Sequence, residues 1–117
     1  MTAVHERTWT AVCGLGDLLP GRGVAALLPC GAQVALFRTG DAVLGLSNVD
    51  PFSGAAVLSR GIVGDLGGVP VVASPMHKQH FDLRTGVCVD GDVAGEAVSV
   101  AVYPVRVADG KVLVGLP

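Results

Sequence analysis

The chain has 117 residues, half of them hydrophobic, and its eight basic and ten acidic side chains leave a formal charge of −2. That length suits one core, so a single domain over 1–117 is expected. The near-neutral balance, without a sustained basic patch, argues against nucleic acid as a partner.

No stretch approaches about 18 uninterrupted apolar residues, so no membrane-spanning helix and no membrane partner are expected, despite a mean hydropathy of +0.59. Met1 to Ala11 carries His5, Glu6 and Arg7 and no apolar run, unlike a secretory or mitochondrial presequence. Cys13, Cys30 and Cys88 are odd in number and form no Cys-x-x-Cys pair. That pattern fits a reducing compartment, with the thiols packed as small buried hydrophobes. Cytoplasm is the expected location.

Aromatic residues make up only 4% of the chain, so the core must be built from β-branched side chains, which favours strands. Apolar segments separated by turn residues predict strands at 8–12, 23–28, 33–38, 43–46, 69–73, 81–83, 98–102 and 111–114. Helix is confined to single turns near 17–19 and 55–59. Hairpins are expected at Arg38-Thr39-Gly40-Asp41, at Arg84-Thr85-Gly86 ahead of Val87-Cys88-Val89, and at Asp109-Gly110, a pair that readily takes positive φ. Val98, Val100 and Val102 alternate with Ser99, Ala101 and Tyr103, as in a strand with one buried face. Pro104 then interrupts it. Between 48 and 75 the pattern fails among Pro51, Gly54, Gly61, Gly64, Gly67 and Gly68, and this stretch reads as functional loops.

Within it stand Asn48-Val49-Asp50-Pro51-Phe52, Leu58-Ser59-Arg60-Gly61 and Ala73-Ser74-Pro75-Met76-His77-Lys78-Gln79-His80-Phe81-Asp82-Leu83, followed by Thr85-Gly86. With Trp9, Leu18-Leu19-Pro20, Val34-Ala35-Leu36-Phe37-Arg38 and Val102-Tyr103-Pro104-Val105-Arg106-Val107, they make nearly the whole chain resemble the small subunit of bacterial assimilatory NAD(P)H-dependent nitrite reductase. The resemblance implies an all-β, Rieske-like antiparallel sandwich or barrel with two degenerate cluster-binding loops, at about 48–61 and 73–81.

A Rieske centre holds one iron by two thiolates and the other by two imidazoles. Residue-by-residue resemblance places Asn48 and Asp50 at the first Cys and His, and Ser74 and His77 at the second pair. Three oxygen-bearing side chains cannot replace soft donors at a sulfide-bridged iron pair, so no cofactor is expected in this chain. By resemblance, FAD, siroheme and a 4Fe-4S cluster belong to the large subunit, the expected partner. The chain then reads as a non-redox accessory subunit, non-catalytic alone, that supports reduction of nitrite to ammonium by the large subunit.

Two rivals remain open at this point: a Rieske-type electron-transfer protein with an altered cluster, and a metal-binding module built on Asp50, His77 and His80. Ser74, His77 and Asp82 have the residue types of a hydrolase triad but no Gly-x-Ser-x-Gly elbow, so no catalytic and no metal-binding residues are expected. Asp50-Pro51 is expected to open a turn whose aspartate accepts backbone N–H groups. Phe52 and Met76 either cap the chain's own core or form a patch for a partner, with a polar rim drawn from Arg60, Lys78 and Arg84; Phe52, Arg60, Met76 and Lys78 are the expected interface residues.

Overall fold

A computed structural model of the chain describes residues 9–40, 42–76, 78–93 and 95–117, with backbone only at 92–93. Twelve strands are found among them: β1 (Trp9–Gly14), β2 (Gly23–Leu27), β3 (Gln33–Thr39), β4 (Ala42–Ser47), β5 (Ile62–Leu66), β6 (Val69–Ala73), β7 (His80–Asp82), β8 (Val87–Val93), β9 (Glu96–Ser99), β10 (Val102–Tyr103), β11 (Val105–Ala108) and β12 (Lys111–Gly115). Helix is limited to single 3-10 turns at Leu15–Asp17 and Leu58–Arg60. The expected all-β class holds. Every strand pairing is antiparallel, in three sheets ordered β1-β12-β11, β10-β4-β3-β2 and β5-β6-β7-β8-β9.

The middle sheet explains the apolar run Val34-Ala35-Leu36-Phe37. All four side chains are buried, the pattern of a strand covered on both faces. Ala35 and Phe37 enter a core shared with Leu46, Leu58, Val72, Phe81, Leu83 and Cys88. Val34 and Leu36 enter a second core with Leu18, Leu28, Val43, Val112 and Val114. Thus β3 joins two apolar layers, one under each outer sheet.

The Asp109-Gly110 turn is present, both residues at positive φ (52° and 73°), with Ala108 paired to Lys111. Thr39 pairs with Ala42, so β3 and β4 form the second expected hairpin; Asp41 lies outside the described residues. The alternation at 98–102 holds in burial, but the strand is split: β9 pairs with β8 and β10 with β4. At Val100 the chain passes from one sheet to another, its N–H bonded to the Gly86 carbonyl at 2.8 Å.

The stretch 48–75 is more regular than its glycines imply. Ile62–Leu66 is a strand, turned by Gly67 and Gly68 (φ 62° and 89°) back onto β6. Short β-branched segments between turn glycines are hairpins even when each segment is too brief to show a period.

The first loop, 48–61, connects β4 to β5, and the second, 74–79, connects β6 to β7. Gly61 closes the first against β6. A Cβ there would overlap the Ala73 carbonyl oxygen and Val72, so only glycine lets the two loop bases touch. Gly61→Ala should lower the unfolding free energy by about 1–3 kcal/mol through overpacking, read as a reduced urea midpoint at unchanged m-value.

Candidate functional site

Asn48 follows directly on β4 and is buried. Its Oδ1 accepts the Ser59 N–H at 2.7 Å, its Nδ2 donates to Gln33 Oε1 at 3.3 Å, and its backbone carbonyl accepts the Leu58 N–H at 3.0 Å. One side chain therefore ties the start of the first loop to its end and to β3.

Asp50 is 0% exposed. Oδ1 accepts the Phe52 N–H at 2.8 Å and the Ser53 N–H at 3.4 Å, which is the expected aspartate-led turn. The backbone reinforces it, with Gly54 N donating to the Asp50 carbonyl at 2.7 Å and Asp50 N to the Ala55 carbonyl at 2.8 Å. Oδ2 is left pointing across to the second loop, where the Ser74 hydroxyl donates to it in a short, buried hydrogen bond. Ser74 also orders its own loop: its Oγ accepts the Met76 N–H at 3.3 Å, and its backbone bonds to Gln79 and Lys78 at 2.9 Å each. Lys78 reverses the chain at φ 62°, a conformation non-glycine residues seldom adopt.

The two loops are thus clasped by side chains at positions expected to derive from metal ligands. Asp50 and Ser74 were each legible as ligand replacements, but not as partners of one another. The usable signal is that ligands of one cluster must face each other, so residues that replace them are placed within bonding reach.

These residues do not fit a 2Fe-2S cluster. At the positions where the resemblance calls for thiolates and an imidazole there are an amide, a carboxylate and a hydroxyl, and each is already engaged with a protein partner. No cysteine can substitute from within the loops. Cys13 lies on β1, Cys30 in the turn before β3 and Cys88 on β8. Burial pushes the Cys13 and Cys88 thiols above their ordinary value, which disfavours the thiolate a metal needs. Cys30 is exposed, contrary to the expectation of a buried thiol, because it sits in the turn between β2 and β3 rather than on a strand face.

His77 lies outside the described residues. His80 does not face Asp50; it turns to β8, where its Nδ1 meets Asp90 Oδ2 at 2.6 Å and its backbone N–H donates to Asp90 Oδ1 at 2.7 Å. Burial works to raise the Asp90 carboxyl, but the His80 contacts outweigh it and hold it below the ordinary range. Asp82, at the end of β7, is likewise turned away from Ser74. It accepts the Arg84 N–H at 2.8 Å and lies 3.5 Å from Arg84 Nε. Neither the metal trio nor the hydrolase triad is assembled from its described members, and no group of three or more metal-binding side chains occurs among the described residues.

Of the four expected interface residues, Phe52 is half-buried, its ring 6.2 Å from that of Phe81 and packed against the first core. An aromatic ring beside a core phenylalanine gains more by covering it than by facing water. Arg60, Met76 (50% exposed) and Lys78 remain on the surface.

Residues 8–115 match the Rieske-like 2Fe-2S domain family. The nitrite reductase (NADH) small subunit of Salmonella typhimurium is 46% identical over 106 residues, covering 89% of this chain and 94% of that protein. A Klebsiella oxytoca nitrite reductase (NAD(P)H) large subunit is 47% identical over 113 residues; the match takes in 97% of this chain but only 11% of that much longer protein. Among solved structures, a Mycobacterium tuberculosis protein described as a candidate NADH-dependent nitrite reductase small subunit superposes with a TM-score of 0.87 at 52% identity. It covers 96% of this chain and 97% of its own.

Ser74→Ala should leave a buried Asp50 oxygen without its donor and cost about 1–3 kcal/mol, measured by urea unfolding. Serine-to-alanine changes at exposed Ser53 should cost far less. The acid limb provides a separate check. At Asp82 burial favours the neutral acid, yet the Arg84 bonds prevail and depress the carboxyl from its ordinary 3.8. A depressed carboxyl contributes stability above its unfolded value and loses it as pH falls through its folded value. The stability difference between the wild type and Asp82→Asn should therefore close as pH drops below about 4, followed by denaturant titrations at successive pH values.

Proposed function

Because the chain belongs to the Rieske-like 2Fe-2S domain family, and within it to the nitrite reductase small subunits, we propose that it is an accessory subunit that holds no cluster and transfers no electron itself. The carrying observation is the buried Ser74–Asp50 hydrogen bond, which spans the two loops where cluster ligands would otherwise face one another. A hydroxyl and a carboxylate locked together offer no reversible electron acceptor. They do keep the loop pair in a fixed shape, and that is what a docking scaffold requires.

The partner in this reading is the nitrite reductase large subunit. In the Klebsiella protein a homologous segment lies within a chain that bears that name, which supports the two units working in one assembly. FAD, siroheme and a 4Fe-4S cluster would reside in the partner, and NAD(P)H would reduce nitrite to ammonium there, in the cytoplasm. No helix among the described residues is long and apolar enough to cross a membrane. This chain would contribute stability and alignment to the partner, and none of its residues would touch nitrite.

Two measurements test this. The purified chain, after anaerobic treatment with iron and sulfide, should remain colourless with no stoichiometric iron or acid-labile sulfide; a bound cluster would reverse the reading. Co-expressed with its large subunit, it should co-purify, and omitting it should lower the yield, stability or nitrite-dependent NAD(P)H oxidation of that subunit. A large subunit equally active and stable alone would remove the accessory role.

A further inference from the structure

The β5–β6 hairpin is apolar on both faces. On one, Val63 and Val72 pack into the first core. On the other, the paired positions Ile62↔Ala73 and Gly64↔Val71, with Leu66, form the wall of a groove of about 580 Å³ that runs beside the second loop. Ile62 is 78% exposed and Leu66 47%. A strand with apolar residues on both sides is the pattern of one covered on both sides, and here one side faces the groove.

Two further features of β5 point the same way. It is an edge strand, bonded only to β6 in its sheet, and it lacks the lysine, proline or bulge that ordinarily protects an edge from pairing with another chain. Its one charge, Asp65, is bent back to accept the Gly68 N–H at 2.6 Å. Gly64 stands mid-strand at an ordinary φ, and a Cβ added there would meet nothing within 4 Å. Nothing among the described residues calls for glycine at that position, and glycine weakens a strand. Close approach of a second backbone is a physical reason to keep it.

The groove rim supplies the remaining chemistry. Arg60 and Lys78 border it, both exposed, and neither forms an ion pair among the described residues. We propose that this face receives an extended segment of the nitrite reductase large subunit, apolar at alternate positions and carrying carboxylates. The segment adds to the edge of β5, covers Ile62 and Leu66, and pairs with Arg60 and Lys78. Main-chain bonding supplies the register of such an added strand and side-chain pockets its specificity. The inference rests on the accessory-subunit reading and adds the face and the chemistry of contact. It differs from docking through the loop tips, since Phe52 is turned inward and only the flank of the second loop is used.

The test is titration of the purified large subunit with the full chain and with Gly64→Val, Ile62→Glu and Arg60→Glu/Lys78→Glu, using Leu27→Glu on the exposed edge of β2 as a control. Gly64→Val should keep or raise the thermal midpoint of the isolated chain yet weaken binding by about tenfold or more. Ile62→Glu and the double charge reversal should weaken it likewise, while Leu27→Glu binds as wild type. Amide exchange along 62–66 should slow in the complex. Wild-type affinity in Gly64→Val and Ile62→Glu overturns the proposed face while leaving the accessory reading intact. No binding by the wild type removes that reading and the face together. Self-association of the chain alone, abolished by the same substitutions, would assign the face to a second copy and overturn the proposal.

Discussion

The Ser74 hydroxyl and the Asp50 carboxylate meet in the interior, on two loops that arise from different hairpins. Burying a carboxylate is costly unless its oxygens are bonded. Here one oxygen takes two backbone N–H groups of its own turn and the other takes the serine. The constraint runs in both directions: the aspartate is tolerable only while the second loop presents its hydroxyl, and the second loop holds its place only while the aspartate receives it. Asn48 plays a parallel part within the first loop by bonding Ser59.

On the proposed reading, this arrangement is how a Rieske-like scaffold keeps its two loops together without a cluster. Metal coordination would cross-link two loops through strong directional bonds; a set of buried hydrogen bonds does the same through partners that are individually weak and jointly cooperative. The cores beneath also hold both loop bases, through Leu58 and Val72. β3 is buried on both faces and joins the layers, and Gly61 brings the end of the first loop against β6. What remains on the surface is then well defined, with Met76 and Lys78 on the second loop and the apolar wall of β5 along the groove.

The same parts differ in how visible they are along the chain. The Asp109-Gly110 hairpin, the run 33–38 and the strand 69–73 are local events, each decided by a turn pair or an apolar period, and each appears where the pattern places it. β5 was hidden because Ile62–Leu66 contains a glycine and an aspartate and is bounded by more glycine, so its identity comes from pairing with β6. Phe52 looked like a loop-tip residue and is a core neighbour, because Phe81 lies beneath it. His80 looked like a companion of Asp50 and belongs to Asp90 instead, ten residues away on β8.

Sequence by itself determined the all-β class, most of the strands and the family, since propensity, turn chemistry and residue type are properties of residues and their near neighbours. Tertiary structure alone decided that Asp50 bonds Ser74 across 24 positions, that β3 is shared by two cores, and that β5 is an edge with an apolar outer face. Those facts depend on which surfaces meet, and long-range packing fixes that only when all three sheets have closed.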